Sequence, residues 1–194
     1  DSGKPVEHPA RSGATANSPK CGPEVRARRR ALGKNLHRFL ARTESLYLDL
    51  ALARYLQKVG ARLTAARSKV RSTGPPKSCR VRKWHFAVLD TPSISAFLLP
   101  GGRVYVTRGL LAYLNSEAEL AAVLAHEMAH APLIDVQNDS ANEQTAAENA
   151  AHGAEHDAAE MIQRLRRRNE AEELAADQQA LLLLAAAGYP LQAL

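Results

Sequence analysis

The sequence has no long apolar run, few cysteines and few aromatics, and each shortage removes a class of protein. Its longest purely apolar stretch, Ala180 to Ala187, falls far short of the roughly 20 residues that cross a bilayer, so nothing spans a membrane as written. The only cysteines, Cys21 and Cys79, exclude a disulfide-dense miniprotein. Neither sits in a CxxC or Cys/His metal spacing; a single bridge in an oxidising compartment and two unrelated thiols both stay open. Aromatic residues are 5% of the chain, and the basic N-terminal half holds only Phe39, Tyr47 and Tyr55. That is no platform for stacking bases, and no nucleic-acid partner is expected. The chain starts at Asp1 without Met, so any targeting segment is expected to have been removed or never included.

What is present reads as an ordinary globular protein: 194 residues, 45% apolar and 24% charged, enough for one domain with a short appendage. Charge is unevenly placed. Residues 1–83 carry 20 Lys/Arg against 5 Asp/Glu, and residues 84–194 carry 6 against 15, which together give the net +6. The basic half is either a pair of solvated amphipathic helices or a contact for an anionic surface such as a membrane.

Residues 1–23, rich in Gly, Pro, Ser and Ala, read as a flexible leader, leaving 24–194 as a single domain. Helical patterning begins at Glu24, and Leu48, Leu52, Tyr55, Val59 and Leu63 predict one buried stripe. Ser72 to Ser78 breaks it with Gly and two prolines. Trp84 to Leu89, Ser93 to Leu99 and Arg103 to Thr107 then predict a small antiparallel sheet, with Pro100, Gly101 and Gly102 as turn residues. The fold class is α+β, mainly helical.

The chemistry follows that sheet. Ser116 and Glu119 form a capping box that predicts a helix from about Glu117 to about Ala131. Within it, His126-Glu127-Met128-Ala129-His130 is an HExxH sequence. Residues four apart stack one turn above each other, so both imidazoles reach one zinc ion and Glu127 lies beside them to take a proton from water. These side chains share the inward stripe with Leu120 and Val123. Burying a carboxylate and two imidazoles there costs several kcal/mol unless a metal ion compensates them. An inverted motif, His152-Gly153-Ala154-Glu155-His156, competes on paper, but its alanine-rich surroundings contain no apolar stripe to bury it. The third ligand is expected from Glu173, with Asp177 one turn on to accept the free N–H of a ligand imidazole. Leu181 to Leu184 would anchor that helix, and Gly188 with Pro190 would end it.

Four blocks in order, within about residues 50–192, carry a family resemblance. They are Tyr55 to Leu63, Ala96 to Gly102 with Val104, Thr107 and Gly109 to Leu111, Glu119 to His130, and Glu173 to Asp177 with Gly188-Tyr189-Pro190. In these the chain resembles the zinc metallopeptidases that group the CAAX prenyl endopeptidases with HtpX-like and BepA/LoiP-like proteases. The resemblance implies a gluzincin fold with the sheet beside the HExxH helix and one Zn2+ per chain. His126, His130 and Glu173 would be ligands, Glu127 the general base, and Asp177 a support behind the ligands. It further implies that the strand holding Val104, Tyr105 and Val106 is the edge to which an extended peptide adds. The soluble branch of the family implies a periplasmic or otherwise secreted bacterial setting, which would suit a Cys21–Cys79 bridge. The expected activity is endopeptidase cleavage of unfolded or misassembled envelope proteins. A zinc-stabilised binding or chaperone module and an anion-binding protein are the alternatives.

The chain departs from the family pattern in three places. Ser95 stands where Asn is common, the stretch from His130 to Glu173 is short, polar and alanine-rich, and no His or Arg follows Glu173 to stabilise an oxyanion.

Overall fold

The computed structural model describes residues 22–70, 81, 83–132 and 154–193, with side chains described except at 154–157 and 193. Residues 1–21 of the predicted leader, both cysteines and the side chains of the inverted histidine motif lie outside these residues, and the last leader residue, Pro23, instead opens the first helix.

Helix α1 (Pro23–Thr43) starts on an extended Gly22 with Pro at its first position and buries Gly33, Leu36 and Leu40. Asp49 accepts from the Leu52 N–H to start α2 (Leu50–Ala66). The buried stripe of α2 is Leu56, Val59, Gly60 and Leu63, a partial correction of the predicted one. Leu48 lies before the helix and is 90% exposed, and Tyr55 is also exposed. Gly60 sets the docking face, because a methyl there would meet the Phe86 ring at 2.1 Å.

The sheet has the order β1-β3-β2, from β1 (His85–Leu89), β2 (Ala96–Leu99) and β3 (Arg103–Thr107). It is mixed rather than wholly antiparallel. β2 and β3 form the expected antiparallel hairpin through Gly101 and Gly102, both at positive φ, while β1 pairs with β3 in parallel. The chain crosses from β1 to the far side of β3 before turning back, so β1 and β3 run the same way. Outside β1, Leu46 bridges to Leu89, Tyr47 donates to Val88 O at 3.0 Å and Asp90 donates to Ser45 O at 2.8 Å. Among the described residues the outer edge of β2 has no strand partner.

α2 covers the sheet face of Phe86, while α1 and α5 (Ala154–Arg166) cover the face of Tyr105 and Phe97. Short α3 (Arg108–Tyr113) leads to α4 (Glu117–Ala129), capped by Ser116, which accepts from the Glu119 N–H. Glu119 reaches back to the Asn115 N–H, one residue earlier than a reciprocal box requires. α4 packs against β2 and β3 and along α6 (Glu170–Ala187), where Ala121, Ala125, Ala176 and Ala180 are buried. These small residues let the two helices approach closely. α6 begins with a complete Asn169/Glu172 capping box, buries Leu183 and Leu184 while leaving Leu182 exposed, and ends at left-handed Gly188.

A polar clamp closes the far end of this helix pair. Glu117 accepts from the hydroxyls of Tyr189 (2.8 Å) and Tyr55 (3.1 Å), which hold its carboxyl below the usual range. Arg62 donates to the carbonyls of Ala187 and Gly188 and lies 4.0 Å over the Tyr189 ring.

Candidate metal centre

The last turns of α4 carry His126, Glu127 and His130, and the first turns of α6 carry Glu173 and Asp177. The alanine-lined contact brings the two sets together. His126 Nε2 lies 3.0 Å from one Glu173 carboxylate oxygen, His130 Nε2 lies 3.6 Å from the other, and the two imidazole Nε2 atoms are 3.1 Å apart. One ligand atom from each of the three residues falls within 4.8 Å of the others, a group able to hold a metal ion. Behind it, Asp177 Oδ1 is 2.9 Å from His126 Nδ1.

That contact orients the imidazole. With the Nδ1 proton given to Asp177, the Nε2 lone pair of His126 faces a carboxylate oxygen and a second imidazole. Acceptors meeting acceptors repel unless a cation or an added proton lies between them, so the group is one that a metal ion could hold together. His130 is 2% exposed, and its Nδ1 has no hydrogen-bond partner among the described residues. Burial, with help from the charges of His126 and Arg168, lowers its pKa to about 4, so the ring stays neutral and able to ligate. Glu127 is held up to about 7, chiefly by burial and further by Glu173, against the opposing pull of His126 and Arg168. A carboxyl poised there can both take and return a proton near neutral pH.

Two contributors carried no signal in the sequence. Arg67, at the end of α2, donates to the Met128 carbonyl inside the motif at 3.1 Å and lies 5.1 Å over the Trp84 ring. Arg168, in the turn before α6, donates to the carbonyls of Leu165 and Arg167 and acts on Glu127 and His130 alongside the larger effect of His126. Both depend on long-range packing that no local pattern encodes.

The expected peptide-binding strand needs correction. Val104, Tyr105 and Val106 are almost fully buried, and β3 is the central strand, hydrogen-bonded to β1 on one side and β2 on the other. Its backbone groups are already used by the sheet, so no peptide can add to it.

Residues 51–194, well over half of the chain, match the family described as Peptidase family M48. The chain belongs to peptidase family M48. Within it, 48 residues (25% of the chain) are 52% identical to the mitochondrial metalloendopeptidase OMA1 of Schizosaccharomyces pombe and cover 14% of that protein. A stretch of 100 residues (52% of the chain) is 33% identical to the beta-barrel assembly-enhancing protease of Yersinia pestis, covering 18% of it. The same protease of Escherichia coli K12 matches at 29% over 99 residues, again 51% of the chain and 18% of the relative. The chain thus aligns with less than a fifth of the length of these M48 relatives.

Proposed function

We propose that residues 24–194 form one zinc-dependent endopeptidase domain, with His126, His130 and Glu173 as ligands and Glu127 as general base. The carrying observation is the convergence of these three ligand atoms beside the part-buried Glu127, whose carboxyl pKa desolvation raises to about 7. Tetrahedral zinc with ligand bonds of about 2.0–2.1 Å sets its ligand atoms about 3.3 Å apart. The two imidazole Nε2 atoms, 3.1 Å apart, fit that spacing, and Glu173 brings one carboxylate oxygen to 3.0 Å from His126 and its other oxygen to 3.6 Å from His130. A structural zinc site is closed by four protein ligands; among the described residues three converge, which leaves a position for water and supports hydrolysis.

Zinc bound there would polarise the scissile carbonyl and lower the pKa of water towards about 7. Glu127 takes the proton from the attacking water and returns it to the departing amine, so no covalent enzyme intermediate is needed. Asp177 keeps the His126 ring oriented throughout. With β3 sealed on both sides, the extended substrate is assigned to the open edge of β2, where Ala96 to Leu99 offer backbone groups. The substrates we infer are unfolded or misassembled polypeptides of the bacterial envelope, in a periplasmic or otherwise secreted setting, with the basic N-terminal half meeting an anionic membrane surface.

Zinc analysis with casein cleavage by wild type and Glu127→Gln tests the reading. Stoichiometric zinc in both with cleavage only by wild type supports it. Folded, zinc-loaded and equally inert proteins would assign a binding or chaperone module instead.

A further inference from the structure

A second cluster lies on the sheet face covered by α1. Gly33 packs so tightly on the β2–β3 turn that a methyl there would stand 1.9 Å from the Pro100 carbonyl oxygen and 3.5 Å from Arg103 Cδ. This contact carries Lys34 and His37, on the next turn of α1, over the start of β3. His37 Nδ1 lies 2.7 Å from the Tyr105 hydroxyl. Tyr105 shares a sheet face with Arg103, two residues earlier. Arg103 is registered beside His85 on parallel β1, and Lys83 precedes His85 by two residues. Three segments therefore bring five basic side chains to one place.

Among the described residues no carboxylate answers them. Arg62, Arg108, Arg164 and Arg166 each have an acidic partner, whereas Lys34, Lys83, His85 and Arg103 have none among the described residues. With the Tyr105 hydroxyl donating to His37 Nδ1, the neutral ring carries its proton on Nε2 as a donor. Burial lowers both imidazole pKa values. Arg103 adds to this at His37, and Arg103, Lys83, His37 and Lys34 add to it at His85. Uncompensated like charge of this kind is relieved by an anion.

We propose that Lys34, His37, Lys83, His85 and Arg103 form a binding site for a phosphate group. The cluster offers hydrogen-bond donors with a planar guanidinium among them, and phosphate oxygens are acceptors that guanidinium engages in pairs. The group can arrive as free phosphate or as the headgroup of an anionic lipid, and the site is separate from the metal centre.

The test follows the histidine ring resonances of the full chain by NMR. Inorganic phosphate is titrated against chloride at matched ionic strength, and sedimentation with phosphatidylglycerol vesicles is measured in parallel. His37 and His85 are expected to shift with phosphate, and the exposed pair Lys34→Gln/Lys83→Gln to weaken binding by about tenfold or more, with an unchanged melting temperature. A response to phosphate without vesicle binding assigns the free ion. Vesicle binding lost in the double variant and displaced by phosphate assigns the lipid headgroup. Equal shifts with chloride, no response to either probe, or binding that survives in the double variant overturns the proposal.

Discussion

Asp177 stands behind His126 at 2.9 Å, so α6 both faces the α4 imidazoles with Glu173 and fixes the orientation of one of them. Asp177→Ala is expected to weaken zinc affinity by about 10–100-fold, read by competition with a chelator of known strength. Asp177 is half-exposed, so the fold should persist, as far-UV circular dichroism would check.

Glu127→Gln keeps the size of the side chain and removes its basicity. Peptide cleavage should fall by about 10²–10⁴-fold at unchanged zinc stoichiometry. An equal loss of metal and activity would place Glu127 among the ligands rather than beside them.

The clamp at the other end of α4 concerns stability. Tyr189→Phe removes a buried hydroxyl that donates to Glu117 and is expected to cost about 1 kcal/mol in urea unfolding of the metal-free protein. Tyr55→Phe should cost less, because its bond to the same carboxylate is longer and exposed.

Gly33→Ala tests how α1 is seated. The obstacle is the Pro100 backbone carbonyl at 1.9 Å, which cannot swing away as a side chain can. A loss of about 1–3 kcal/mol is expected from the overpacking. Because Lys34 and His37 ride on the same helix, their response to phosphate should fall with it.

His37 and His85 should titrate below 6.5 in the folded protein, since burial and then Arg103 disfavour their charged forms, with Lys83, Lys34 and His37 adding to the effect at His85. For a base with a lowered folded pKa, the unfolded chain binds the proton more readily. Their stability contribution is therefore present above about 6.5 and is lost as pH falls through the lowered values. Histidine NMR titration checks the midpoints, and phosphate should move both upward.

The sequence revealed what helix periodicity controls. His126 and His130, and likewise Glu173 and Asp177, share a face because they are four apart, and Ser116 and Asn169 mark helix starts through local hydrogen bonds. The family, too, was readable from four short blocks. Long-range pairing was less accessible: nothing local tells β1 to run parallel to β3. The unbroken apolar run Val104-Tyr105-Val106 nevertheless fits a strand covered on both faces, and an alternating run would have suited an edge better. The stripe on α2 shifted because Asp49 starts the helix after Leu48 and because Gly60 admits the Phe86 ring. Arg67 on the Met128 carbonyl and Tyr189 on Glu117 join residues 61 and 72 positions apart, beyond any sequence window.

The Leu46 bridge leaves the sheet lopsided in its capacity for company. Among the described residues β2 is the edge with no strand against it, so two copies meeting there would close as a two-fold pair and would not grow into a ribbon. Each partner in that pair would also hide the strand to which we assign the substrate, so crowding would act as a brake on the proposed cleavage rather than a route to fibres.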